Sequence, residues 1–65
     1  MMYYLCTLSV DCEKYAVSKD GVFLLFKRKR DAKEYFADAN FEPHYEKVTI
    51  EEAKKLFGRH QYQII

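Results

Sequence analysis

Asp20-Gly21, followed at once by the apolar run Val22-Phe23-Leu24-Leu25-Phe26, constrains this chain more than any other stretch. Asp-Gly is favoured in a two-residue type I′ turn, where both central residues need positive φ. A hairpin closed there sets Lys19 opposite Val22 and Ser18 opposite Phe23. It continues with Val17 opposite Leu24, Ala16 opposite Leu25 and Tyr15 opposite Phe26. Apolar residues then meet apolar residues on both sides of the ribbon, which supports the register. Val22 to Phe26 is apolar at every position rather than at alternate ones, so it is predicted to be a central strand.

The next residues read as a helix. Asp31 has the chemistry of an N-cap, with Glu34 three positions on as its capping-box partner. Ala32, Tyr35, Phe36 and Ala39 form one apolar stripe at helical spacing. Asn40 suits a left-handed helix stop, after which Phe41 packs back on Phe36, and Pro43 blocks continuation. A second helix is predicted from Thr49, where Thr49-Ile50-Glu51-Glu52 has capping-box spacing and two early glutamates complement the positive helix end. Its stripe is Ile50, Ala53, Leu56 and Phe57, and Gly58 is its stop.

Around these elements, Tyr3 to Val10 alternates as a first strand and Asp11 to Lys14 is a short polar connection. Tyr15 to Lys19 is a second strand and His44 to Val48 a fourth, while Tyr62 and Ile64 alternate with polar neighbours as a short last strand or an arm. The expected fold is a single α+β domain over residues 1–65. It has a mainly antiparallel single-layer sheet, ordered β-β-β-α-β-α with a possible last strand, and two helices on one face.

That arrangement has a consequence for function. With both helices on the side of Leu24 and Phe26, the other side presents Tyr3, Leu5, Phe23 and Leu25 to water. So apolar a face implies a cover. A 65-residue chain buries only about 60% of its unfolded surface, yet 49% of these residues are apolar and 17% aromatic. Burial against a second copy or a protein partner is the expected resolution. Lys27, Arg28, Lys29 and Arg30 form the only dense charge cluster, offset by Asp31 and Glu34, and they complete the candidate partner surface.

The segment Phe23-Leu24-Leu25-Phe26, followed by Asp31-Ala32, resembles the third strand and second helix of the RNA-recognition motif. The resemblance covers less than half the chain and implies that Phe23 stacks on a base, with Lys27–Arg30 beside it. Gly21 stands where that family carries its other stacking aromatic, and Val22 stands where it carries Gly or Ala. Asp11 to Lys14 leaves no room for the family's first helix. A single-stranded nucleic-acid binder is therefore the second reading, and a net charge of +1 disfavours it.

Other chemistry is thin. Cys6, Cys12, His44 and His60 include no close ligand pair of the kind zinc sites use, so neither metal nor cofactor is expected. No nucleophile–base spacing appears, and Gly21 and Gly58 are each taken by a turn or a cap. The chain therefore reads as non-catalytic. Met1-Met2-Tyr3-Tyr4 lacks the basic start of a signal peptide, no run is long enough to span a bilayer, and two cysteines fit reduced thiols. The expectation is a cytoplasmic interaction or regulatory protein that self-associates or docks on a protein. Small plain chains like it are common among bacterial and phage accessory proteins.

Overall fold

A computed structural model describes residues 1–65. The chain forms β1 (Tyr3–Val10), β2 (Glu13–Ala16), β3 (Ser18–Lys19), β4 (Val22–Phe26), α1 (Lys29–Tyr35), β5 (His44–Val48), α2 (Ile50–Phe57) and β6 (Tyr62–Ile64). It is an α+β fold with one six-stranded, mostly antiparallel sheet and two helices. No helix is long and apolar enough to cross a membrane.

Two tight turns shape the first half. Asp20 and Gly21 have φ of 57° and 78°, as the Asp-Gly pair requires, and they set Lys19 against Val22 and Ser18 against Phe23. Asp11 and Cys12 make a second turn of this kind, with φ of 51° and 68°. That turn locks Val10 against Glu13 and carries the ladder down to Thr7 against Ala16. The long hairpin expected between Tyr15 and Phe26 therefore ends at Ser18. Residues 13–16 are committed to β1 by their own turn, and the chain changes partner at Val17, whose N–H donates to the Cys6 carbonyl at 3.0 Å. The positions freed on β4 are taken by β1, with Leu25 against Leu5 and Phe26 against Tyr4.

β4 is central, as its unbroken apolar run demands: β1 and β3 flank one edge and β6 the other. β1 likewise has β5 along one edge, from Tyr3–Val48 to Thr7–His44, and β2 with β4 along the other. Since β4 and β5 are both antiparallel to β1, and β6 is parallel to β4, those three strands share one direction.

The helices lie on opposite faces, not on one. α1 packs Ala32 and Phe36 against Cys6, Leu24 and Phe26. α2 packs Ala53 and Phe57 against Tyr3, Leu5, Phe23, Leu25 and Val48. The reason is the handedness of the crossovers. The path from β4 through α1 to β5 steps across β1 in one direction, and the path from β5 through α2 to β6 steps back. Parallel crossovers are overwhelmingly right-handed, and two right-handed crossovers in opposite directions need opposite faces.

Helix α2 matches its sequence signals. Thr49 Oγ1 accepts from the Glu52 N–H at 3.2 Å, the Glu52 carboxylate accepts from the Thr49 N–H at 3.0 Å, and Gly58 at φ 64° ends the helix. Helix α1 departs from its signals at both ends. Its N-cap is Arg28, with no side-chain hydrogen bond, and Asp31 sits inside the first turn. Two residues, Lys27 and Arg28, suffice to leave β4, so the helix starts before the capping-type residue is reached. It also ends early, with Phe36 as C-cap, and Ala37 and Ala39 donate in tight turns to Glu34 and Phe36 instead of Asn40 acting as the stop.

Candidate functional site

The apolar residues expected on an open face are all inside. Tyr3, Leu5, Phe23 and Leu25 are 7%, 0%, 9% and 0% exposed, covered by α2. Phe23 stacks on Phe57 at 5.0 Å between ring centroids and meets His60 edge-on at 5.7 Å. The base-stacking position implied by the RNA-recognition-motif resemblance is thus a core position, because α2 and β6 close the face that such a module leaves open. The expected uncovered face does not exist, and its demand for a partner is met within the chain.

Lys27, Arg28, Lys29 and Arg30 are exposed where expected, in the loop after β4 and the first residues of α1. None is ion-paired, since the one ion pair joins Lys14 to Glu46. The structure therefore separates the two halves of the expected surface. The apolar four lie under α2, whereas the cations belong to the helix on the other face.

Cys6 is buried beside Phe26 and Phe36, and burial pushes its thiol up to about 11. Cys12 is exposed in its turn, and His44 is exposed at the start of β5. His60 Nδ1 lies 2.7 Å from the Phe57 carbonyl, so this ring works as part of the α2 terminus. No three His, Cys, Asp or Glu side chains gather as a metal cluster.

The clefts are shallow and open. The largest, about 530 Å³, is lined by Thr7, Ser9, Lys14, Lys29, Lys33, Pro43, His44, Tyr45 and Glu46. Its single carboxylate is held by Lys14, and no hydroxyl in it is hydrogen-bonded to His44. An apolar groove of about 360 Å³ lies where Val17 and Lys19 approach Tyr35, Phe36 and Phe41, with the Lys19 ammonium 4.6 Å from the centre of the Tyr35 ring.

With both sheet faces filled, the edges remain. The β5 edge carries His44, Glu46 and Lys47, charged or polar groups of the kind that discourage strand addition. The β6 strand carries no charge of its own, with Gln63 its one polar side chain and the Lys54 ammonium 5.7 Å from the centre of the Tyr62 ring. Phe23 N–H donates to the Gln61 carbonyl at 3.0 Å, and Ile65 N–H donates to the Leu25 carbonyl at 2.8 Å. Backbone groups alternate along a strand, so Gln61, Gln63 and Ile65 turn theirs to β4, while Tyr62 and Ile64 turn theirs outward, where no strand pairs with them. On the α2 face Tyr62 is half-buried, stacked on Phe57 at 5.4 Å, and Ile64 is 40% exposed.

The sequence reads Tyr62 and Ile64 as an alternating tail and does not place them at the open edge of the sheet. The readable signal was the absence of charge from Gln61 to Ile65. No protein-family model matches this chain, and no curated protein and no solved structure is significantly similar to it.

Proposed function

We propose that the chain is a non-catalytic interaction module, a small cytosolic accessory or regulatory protein that acts by contact with another protein chain. The observation that carries this reading is the β6 edge, an uncharged strand with free backbone groups at Tyr62 and Ile64 and an exposed isoleucine beside them. Extended segments add to such edges by main-chain hydrogen bonding, and alternate side chains supply selectivity. The open clefts, which pair no nucleophile with a base, add nothing that favours catalysis. A single-stranded nucleic-acid-binding role, the second reading, rests on Lys27–Arg30 alone now that Phe23 is buried.

Crosslinking of the chain in its host extract, compared across two variants, tests the assignment. Ile64→Lys puts a charge on the edge, and Arg28→Glu/Arg30→Glu reverses half of the basic cluster. Loss of crosslinked species, self or foreign, with Ile64→Lys alone is the expected result. Retention in Ile64→Lys with loss in the double variant overturns it in favour of the cluster.

A further inference from the structure

We propose that β6 pairs with β6 of a second copy of this chain, antiparallel across a twofold axis centred on Gln63, joining two sheets edge to edge. This deepens the reading above and rests on its assignment of β6 as a contact edge.

The register follows from which groups are free. In an antiparallel pair, residues directly opposite are either both hydrogen-bonded to each other or both turned away. Only Tyr62 and Ile64 have outward backbone groups. Centring the axis on Gln63 sets Tyr62 against the partner copy's Ile64 and Ile64 against its Tyr62. Both free residues on both strands are then used, whereas centring on Tyr62 or on Ile64 leaves one of the two unmatched.

The side chains agree with that choice. Each Tyr–Ile contact is an aromatic and β-branched cross-strand pair, a favourable combination. Gln63 meets Gln63 on the other side, with no like charges opposed. A second copy is the occupant because it brings the same uncharged strand with free backbone groups at the same two positions. Each free residue then finds a free one opposite, and a twofold contact closes without further growth. The gain matters to so small a body, in which only 13 of 65 residues are buried, because the pairing covers Ile64 and part of Tyr62.

The axis makes a geometric test available. Gln63 and its copy form a non-hydrogen-bonded pair, with Cα atoms about 4.5 Å apart, inside the range of about 4.4–6.8 Å that a disulfide accepts. Gln61 and its copy lie four residues out of register, roughly 14 Å apart along the strands. In a Cys12→Ser background, Gln63→Cys and Gln61→Cys are oxidised with glutathione disulfide, and wild-type mass is followed by analytical ultracentrifugation from 1 to 500 μM.

The expected results are a concentration-dependent dimer, at least tenfold faster crosslinking at position 63 than at 61, and loss of both signals when Ile64→Lys is added. A monomer at every concentration, or equal crosslinking at the two positions, overturns self-pairing. If either occurs while Ile64→Lys still abolishes a foreign crosslink in extract, the interaction reading survives and only the second copy is excluded. If the extract shows no crosslink of any kind and the chain is also monomeric, both fail.

Discussion

Phe23 and Phe57 lie stacked, their planes 22° from parallel, and this contact ties the central strand to the helix that closes the second face of the sheet. Both rings are buried, and Tyr62 extends the stack beyond Phe57. Phe57→Ala should cost about 3–5 kcal/mol, the usual range for emptying an aromatic core position. Total stability for this length is on the order of 3–10 kcal/mol, so the variant should lose a third or more of it, read as a large drop in the denaturation midpoint by near-ultraviolet circular dichroism. A denaturation midpoint close to that of wild type in Phe57→Ala would show that α2 does not hold that face.

Thr49 and Glu52 cap each other across the start of α2. Thr49→Ala should lower stability by about 1 kcal/mol in denaturant titration, whereas Asp31→Ala, which removes a first-turn charge and no cap bond, should cost less. Equal losses would contradict the assigned caps.

The same box has a pH signature. The Thr49 backbone N–H, and then its hydroxyl, hold the Glu52 carboxyl below its ordinary value. A depressed folded pKa means that the contribution is complete above the unfolded value of 4.5 and is lost as the pH falls through the folded one. Stability curves of wild type and Glu52→Gln should therefore run apart at neutral pH and converge in acid. Curves that stay parallel to pH 2 would remove the box as a source of acid sensitivity.

The two thiols should behave differently. An aromatic disulfide reagent at pH 8 should modify one thiol per native chain and two per unfolded chain, and Cys12→Ser should reduce the native count to zero. Cys6 also works against alkaline stability. Its folded pKa, about 11, exceeds the ordinary 9.0, so stability is intact below pH 9 and declines as pH rises toward 11. Rapid native modification of both thiols would mean that the α1 face is open.

Cys12 holds φ at 68° in a turn whose second position favours glycine. Cys12→Gly should raise stability by roughly 0.5–1 kcal/mol, relief of left-handed strain outweighing the added freedom of the unfolded chain. A lower denaturation midpoint would show that the Cys12 side chain contributes a contact larger than the strain.

What the sequence disclosed was mostly local. Asp20-Gly21, the Thr49 box, the Gly58 stop and the stripe of α2 each depend on neighbours a few residues away, and each was legible. The start of α1 was not, because Arg28 offers no cap acceptor and the more conspicuous Asp31 sits one turn inside. The sides taken by the helices depend on the direction and partner of β6, which a three-residue alternation does not announce. That one unknown moved Tyr3, Leu5, Phe23 and Leu25 from a supposed surface to the core. It also concealed Tyr62 and Ile64, since lying at an edge is a property of the assembled sheet and not of a strand's own residues. Lys27–Arg30 were read correctly as exposed because four consecutive cations have no route into so small an interior.

The pairing of Tyr3–Thr7 with His44–Val48 sets the order in which this molecule is made. These partners stand roughly forty residues apart in a short chain, the kind of non-local closure that slows folding. Until β5 docks, β1 has only β2 and β4 on one edge and bare backbone on the other. Leu5, Phe23 and Leu25 are meanwhile without α2, so a nascent chain shows solvent the apolar surface that the finished one hides. The rate at which the chain folds, and not its final stability alone, is therefore what this long-range pairing governs.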